Sequence, residues 1–253
     1  MKTFDIPLLP ITLERNTDEK LNDRDVPGIE LEYLWPKYKP RAVFTGAFIA
    51  GGKDGIAISW CAEAPHNALL AKHKNNKENV FEDDCLEVFL QPPLTKADGA
   101  HPAANKAAPA FDGAHPAQGA FSGAPYYCWE INPAGACLDY TAKPSSENTE
   151  APENVPGITF DYNWKSYAVW RQSTDDEFWY LELFIPWSDF GLTEQPVSGT
   201  IWRATLNRID QSAKKARKRA PGTGDNPGYQ TLLDDTAIPS FHQSAHFAEF
   251  TFR

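Results

Sequence analysis

The chain has a single methionine, Met1, among its 253 residues. That excludes a haem or electron-transfer centre ligated by an internal methionine. Its four cysteines, Cys61, Cys85, Cys128 and Cys137, form no C-x-x-C pair, which removes the common zinc and dithiol motifs. Three of them sit in strand-like runs, where a free thiol behaves as a small hydrophobe. A disulfide between Cys85 and Cys128 stays open at this stage. There is no apolar run of about 18 residues, so no membrane-crossing helix is expected. Met1 to Pro7 is broken by Asp5 and Pro7 and lacks the apolar centre of a leader peptide. This points to a cytoplasmic location unless a leader has been removed.

Positive charge is also scarce. Lys and Arg number 24 against 34 Asp and Glu, a formal net charge of −10. Nucleic acid is therefore not an expected partner, because phosphate contacts need clustered cations. The one basic run, Lys214-Lys215-Ala216-Arg217-Lys218-Arg219, reads as a solvated loop, with anion or membrane-surface binding as the alternative. No G-x-S-x-G elbow, nucleophile triad or EF-hand loop occurs. Residues 96–125 contain no Val, Ile, Leu or Thr, and Asp98-Gly99-Ala100-His101-Pro102-Ala103 recurs as Asp112-Gly113-Ala114-His115-Pro116-Ala117. Such a segment buries too little apolar surface to offset its ordering entropy and reads as a flexible insertion. The two repeated histidines follow from the duplication rather than from metal spacing.

What is present is alternation. In Cys85-Leu86-Glu87-Val88-Phe89-Leu90, Leu86, Val88 and Leu90 fall on one side of an extended chain, and Cys85, Glu87 and Phe89 on the other. Period two marks a strand, and Pro92 ends it. Tyr127 to Asn132 alternates likewise, with Tyr127, Trp129 and Ile131 on one face and Cys128, Glu130 and Asn132 on the other. Residues 42–50 and 55–61 form a hairpin around Gly51-Gly52-Lys53-Asp54, where glycines suit a positive φ. Further strands are expected near 30–35, 158–164, 167–171, 178–185, 199–208 and 246–252, with 158–164 paired to 167–171. Residues 16–25 hold at most one helical turn, and 65–79, 140–157 and 211–228 read as loops. With every firm element a strand, the fold class is all-β: one antiparallel β-sandwich, jelly-roll-like, with long loop insertions, spanning 1–253 as a single domain. Trp60, Trp129, Trp179 and Trp202 fall on the core parity of their strands. Trp164, Trp170 and Trp187 lie nearer strand ends.

Four segments in order carry a family resemblance. Asp83-Asp84-Cys85-Leu86-Glu87-Val88-Phe89-Leu90-Gln91-Pro92 resembles the signature strand of carbohydrate-binding module family 9 and its stand-alone relatives. Tyr127-Cys128-Trp129-Glu130-Ile131-Asn132-Pro133-Ala134-Gly135 is similar to the family's next strand and turn. Trp179 to Trp187 resembles its apolar-Glu-apolar-x-Ile-Pro strand, and Gly199 to Arg208 with Phe241 to Phe250 completes the set. The resemblance implies a non-catalytic protein that grips a sugar or glycan end between aromatic rings, with carboxylate and amide groups on the hydroxyls. The chain departs from the family at three places. Phe81 stands where the first tryptophan is expected, Leu232 where the second is, and Thr205 where many relatives have Asn.

The candidate sugar-binding residues are Phe81 as a stacking platform, Glu87, Glu130 and Asn132 on one outer strand face, Asn207 and Arg208 as donors, and Tyr229 as the substitute second ring. Stacking suits a sugar because its C–H face is slightly positive and a ring face negative. The same residues also fit a plain solvated face, and a β-sandwich interaction or structural module that has lost sugar binding is the alternative function. A catalytic reading would place Glu87 and Glu130 about 5 Å apart, as in a retaining glycosidase, but carboxylates on paired strands commonly lie side by side without catalysis. No cofactor is required. Some family members hold calcium, for which Asp83, Asp84 and Asp161 are the candidates, although ordinary turn aspartates fit as well. Oligomeric state is left open.

Overall fold

The structure is a computed structural model, and it describes residues 1–9, 26–35, 37, 43–64, 69–93, 121, 123–144, 157–211, 227–236 and 239–253. The basic run Lys214–Arg219, the segment 16–25 and nearly all of the 96–125 insertion lie outside the described residues. The last residues of that insertion are described, and they pack. Phe121 and Ala124 are buried, Arg203 lies over the Phe121 ring, and Gln91 Nε2 donates to the Ala124 carbonyl at 2.9 Å.

Among the described residues thirteen strands follow in order: β1 (Thr3–Ile6), β2 (Gly28–Glu30), β3 (Thr45–Gly51), β4 (Gly55–Glu63), β5 (Cys85–Gln91), β6 (Tyr126–Ile131), β7 (Cys137–Pro144), β8 (Ile158–Asp161), β9 (Val169–Thr174), β10 (Phe178–Pro186), β11 (Ile201–Asp210), β12 (Gly228–Thr231) and β13 (Ala248–Phe252). Among the described residues there is no α-helix. Short 3-10 turns occur at Val80–Glu82, Trp187–Phe190 and Ser244–His246. The strands form two sheets. One runs β1-β13-β11-β5-β6-β7-β8, with β12 also on β11, and the other runs β2-β3-β4-β10-β9. All ladders are antiparallel except β1 with β13. The protein is therefore the β-sandwich expected.

Alternation decides what fills the space between the sheets. Leu86, Val88 and Leu90 meet Tyr127, Trp129 and Ile131 on the inner face of the larger sheet, opposite Ile56, Ile58, Trp60, Trp179, Leu181 and Leu183 of the smaller one. Trp60, Trp129, Trp179 and Trp202 are all core, as their parity implies. Trp187 joins them, its indole N–H donating to the Gly52 carbonyl at 2.9 Å, and Trp164 and Trp170 pack against the same cluster.

Several expectations are corrected. Residues 158–161 and 169–174 do not pair with each other: β8 adds to β7 in the larger sheet, and β9 adds to β10 in the smaller one. The residues from Tyr140 to Pro144 belong to β7 rather than to a loop. At the β3–β4 turn neither Gly51, Gly52 nor Gly55 takes a positive φ. Glycine is needed there for close approach instead, since a Cβ on Gly55 would lie 2.4 Å from the Ile185 carbonyl oxygen.

The largest surprise is the outer face of the larger sheet. Over β5, β6 and the adjoining parts of β7 and β11 it does not meet water. Trp35, Val80, Leu233, Phe241 and Phe247 cover Cys85, Phe89, Tyr126, Cys128, Leu138, Tyr140 and Ile209 as a second apolar layer.

Candidate functional site

The side chains with chemistry on that covered face come from β5, β6, β7 and β11. Glu87 stands directly opposite Glu130 in the β5–β6 ladder and opposite Asn207 in the β5–β11 ladder. Glu87 is 2% exposed and Glu130 3%. Asn207 donates its amide to Glu87 Oε2 at 3.3 Å. Its carbonyl accepts from Thr205 Oγ1 at 2.9 Å and Thr231 Oγ1 at 2.6 Å, which fixes the amide's orientation. Tyr140 donates to Glu130 Oε1 at 2.5 Å, and Glu130 Oε2 is buried with no hydrogen-bond partner among the described residues. The Cys85 thiol lies beside the pair, its sulfur and one oxygen of each carboxyl within 4.8 Å of one another.

Burial raises both carboxyls. Burial and the repulsion of Glu130 push Glu87 well up, while the Asn207 amide opposes them. Burial lifts Glu130 to about 7, with the Tyr140 hydroxyl pulling the other way. The two carboxyls titrate together, each one's proton depending on the other's. The expected outer-face position of Glu87 and Glu130 is thus right in parity, but the face is an interior.

Around this polar floor stand rings. Phe89 and Tyr126 come from the sheet, Phe160 and Tyr162 from the β8 end, and His242 from the segment after β12. Phe160 and Tyr162 are stacked at 5.9 Å, and Tyr162 lies 5.2 Å from Tyr140. Tyr162 is 46% exposed, so the ring of aromatics reaches solvent there. Sequence reading missed Tyr140, Phe160, Tyr162 and His242. Period-two alternation from Leu138 through Tyr140 to Ala142 would have placed Tyr140 on this face.

The other candidates divide. Phe81 sits on the Val80–Glu82 turn at 39% exposure, beside the buried Val80. Tyr229 pairs with Ile209 and so shares the face of Asn207, but its ring packs edge-on against Trp35 and Phe241 at 6.2 and 5.3 Å. Asn132 is a structural residue: its amide donates to the His73 carbonyl and to Asp83 Oδ2, both at 2.9 Å, and its oxygen accepts from the N–H groups of Ala134 and Ala136. With both donors and both lone pairs committed, it has nothing left for a ligand.

Arg208 faces the other way. It pairs with Leu86 on the inner parity, and its guanidinium donates to Thr45 Oγ1 at 2.7 Å, to the Glu63 carbonyl at 2.7 Å and to the Phe44 carbonyl at 3.2 Å. It ties the two sheets together. Adjacent residues of one strand point to opposite faces, so Asn207 and Arg208 cannot both serve one site. Leu232, at the second expected tryptophan position, also turns inward to the main core.

Among the described residues the three aspartates do not come together in one group of metal-ligating side chains. Asp83 Oδ2 accepts the N–H groups of Lys72 and His73 at 2.9 Å and the Asn132 amide. Burial opposes ionisation of Asp83, but these donors outweigh it and hold the carboxyl below its usual value. Asp84 accepts from Leu70 N and Gln211 N, and burial lifts it to about 7. Asp161 is exposed on β8, three strands from β5, and accepts from Asn163 N. Calcium needs converging oxygens; here at least one oxygen of each carboxylate meets N–H donors, while Asp83 Oδ1 is buried with no partner among the described residues.

No protein-family profile matches the sequence, and no curated protein matches it. Solved structures do. A candidate carbohydrate-binding protein from Bacteroides uniformis aligns over 100% of this chain and 99% of its own, with a TM-score of 0.62 and 16% identity. A carbohydrate-binding module of family 9 from Caldicellulosiruptor kristjanssonii, in complex with glucose, aligns over 100% and 96%, with a TM-score of 0.56 and 12% identity. A structure from that organism of a family 9 module with cellotriose gives a TM-score of 0.55 at 11% identity, covering 100% and 94%. The chain has the fold of these modules, as its four ordered segments implied. No helix among the described residues is long and apolar enough to cross a membrane.

Proposed function

We propose that this protein is a non-catalytic carbohydrate-binding domain that receives a sugar or glycan end on the outer face of its larger sheet. One observation carries the reading. Two carboxyls and an oriented amide, Glu87, Glu130 and Asn207, form a polar floor inside a wall of aromatic rings, and one floor oxygen, Glu130 Oε2, has no partner among the described residues. A sugar matches such a floor, with hydroxyls for the carboxyls and apolar C–H faces for the rings. The shared fold with modules holding glucose and cellotriose supports the same class of ligand. Exposed Phe81, on the turn that leads into β5, remains the outer platform of the proposal.

Catalysis is not part of it. A glycosidase pair flanks the scissile bond, whereas Glu87 and Glu130 lie side by side on one sheet face, each already bound by Asn207 or Tyr140. Calcium is not part of it either, so affinity should be the same with calcium and with a chelator.

Titration calorimetry with glucose and cellotriose tests the proposal. Leaving a buried hydrogen-bonding group unmet costs about 1–3 kcal/mol, so Glu87→Ala and Glu130→Ala should each weaken binding roughly five- to a hundredfold in protein that remains folded. The burial of both carboxyls under residues 239–247 favours a second reading, an interaction module whose sugar face has closed. If a glycan array shows no ligand for the wild type, that reading replaces the first.

A further inference from the structure

Segment 239–247 lays one side chain into the middle of the face where the sugar is proposed to bind. The His242 ring lies flat on Phe89, with centroids 4.8 Å apart and planes 16° from parallel. Its Nδ1 is 3.0 Å from the Tyr126 hydroxyl and its Nε2 is 3.2 Å from the Tyr140 hydroxyl. Phe160 stands edge-on at 5.0 Å. The contacts fix the proton. Tyr140 gives its own proton to Glu130, so it accepts from Nε2–H, and Nδ1 accepts from Tyr126. The imidazole is neutral, its pKa pushed down to about 4 by burial.

This is the pattern a bound sugar ring would make: one flat face on an aromatic ring, and donor and acceptor groups at its edge meeting hydroxyls. We infer that His242 is an internal occupant of the sugar site, holding the stacking position over Phe89 until a ring-shaped, hydroxyl-bearing ligand displaces it. The inference rests on the sugar-binding reading and adds the means by which the site is kept closed.

Two features argue for displacement rather than permanent packing. First, His242 satisfies the rings and both tyrosines but leaves Glu130 Oε2 without a partner among the described residues, although that oxygen is buried. A hydroxyl-bearing ligand reaching the same floor meets an acceptor that the imidazole does not use, which gives the ligand a contact the occupant lacks. Second, the segment is pinned at its ends and held internally. Phe241 packs on Trp35 at 5.8 Å, and Phe247 packs on Tyr126 at 5.3 Å. Between these anchors, Gln243 accepts from Thr236 Oγ1 and donates to the Ser240 carbonyl, and Asp234 N donates to the His246 carbonyl at 2.9 Å. Residues 242–246 are half-buried or exposed. A swing of His242 therefore need not unpack Phe241 or Phe247.

The test uses three proteins, wild type, His242→Ala and His242→Gly, with glucose, cellotriose and imidazole as probes. The expected result is at least tenfold tighter cellotriose binding by His242→Ala than by wild type. Imidazole should raise the melting temperature of His242→Gly saturably and leave wild type unmoved, showing that the ring-shaped slot persists. In wild type, the ring proton signals of His242, displaced by stacking on Phe89, should move to solvent-exposed positions at saturating cellotriose. Equal or weaker binding by His242→Ala, or His242 signals that stay put while wild type binds cellotriose, overturns the inference and leaves the sugar-binding reading standing. If neither wild type nor His242→Ala binds a sugar, the inference and the reading both fall. If the alanine and glycine variants do not fold, the wild-type signals decide alone.

Discussion

Glu87 and Glu130 face each other across β5 and β6 with both carboxyls buried, and this makes the stability of the fold depend on pH in an unusual direction. A carboxyl raised by folding holds its proton longer in the native state than in the unfolded one. Its contribution is full below the unfolded pKa and is lost as pH rises through the folded pKa. For Glu130 that window runs from 4.5 to about 7, and Glu87 and Asp84, also raised, act in the same sense. Urea unfolding should therefore show stability falling between about pH 5 and pH 8. A tenfold change in proton affinity between the folded and unfolded chain is worth about 1.4 kcal/mol, so Glu130→Gln should flatten the fall by on the order of 3 kcal/mol. His242 acts oppositely: its lowered pKa makes stability fall as pH drops from 6.5 towards 4. A wild type that gains stability steadily from pH 5 to 8 would contradict the buried pair.

Arg208 is expected to matter for folding and not for ligand. Its guanidinium joins β11 to Thr45, Phe44 and Glu63 of the smaller sheet. Arg208→Ala leaves these acceptors unmet, at a cost of about 1–3 kcal/mol for each that stays buried. The melting temperature should drop sharply, while any protein that remains folded should bind sugar as wild type does. A folded variant with lost affinity would return Arg208 to the site.

Asn132 predicts a local effect. It holds the β6–β7 turn and anchors the 72–83 segment through His73 and Asp83. Asn132→Ala should cost about 1–3 kcal/mol for the unpaired groups left behind. Hydrogen exchange should quicken first at Ala134 and Ala136, whose amides lose their acceptor. Unchanged exchange there would mean the turn is held by other groups.

Phe81 tests the outer platform. It is exposed, so its removal should not disturb the core. A lost ring contact is worth up to about 1.5 kcal/mol, so Phe81→Ala should weaken cellotriose binding about tenfold with an unchanged melting temperature. Phe81→Trp should tighten it. Equal affinity in all three proteins would confine the ligand to the floor between Glu87, Glu130 and Phe89.

Side-chain alternation is a property of the extended chain itself, so the sequence alone determined which residues share a face. Leu86, Val88 and Leu90 went inward with Trp129 and Ile131, and Glu87 and Glu130 went to the opposite side together. The succession of alternating runs, with no long 3.6-period stretch between them, likewise determined a sandwich. What the sequence could not determine was what lies against that opposite side. Glu87 has the same parity whether its face meets water or protein, and the residues that cover it, Trp35, Phe241, His242 and Phe247, are far from it along the chain and carry no period that announces their place. The same limit separated β8 from β9, which are close in sequence but belong to different sheets because each pairs with a different existing edge. Tertiary structure alone decided these matters, because burial of a face depends on long-range packing and not on the local geometry of the strand that bears it.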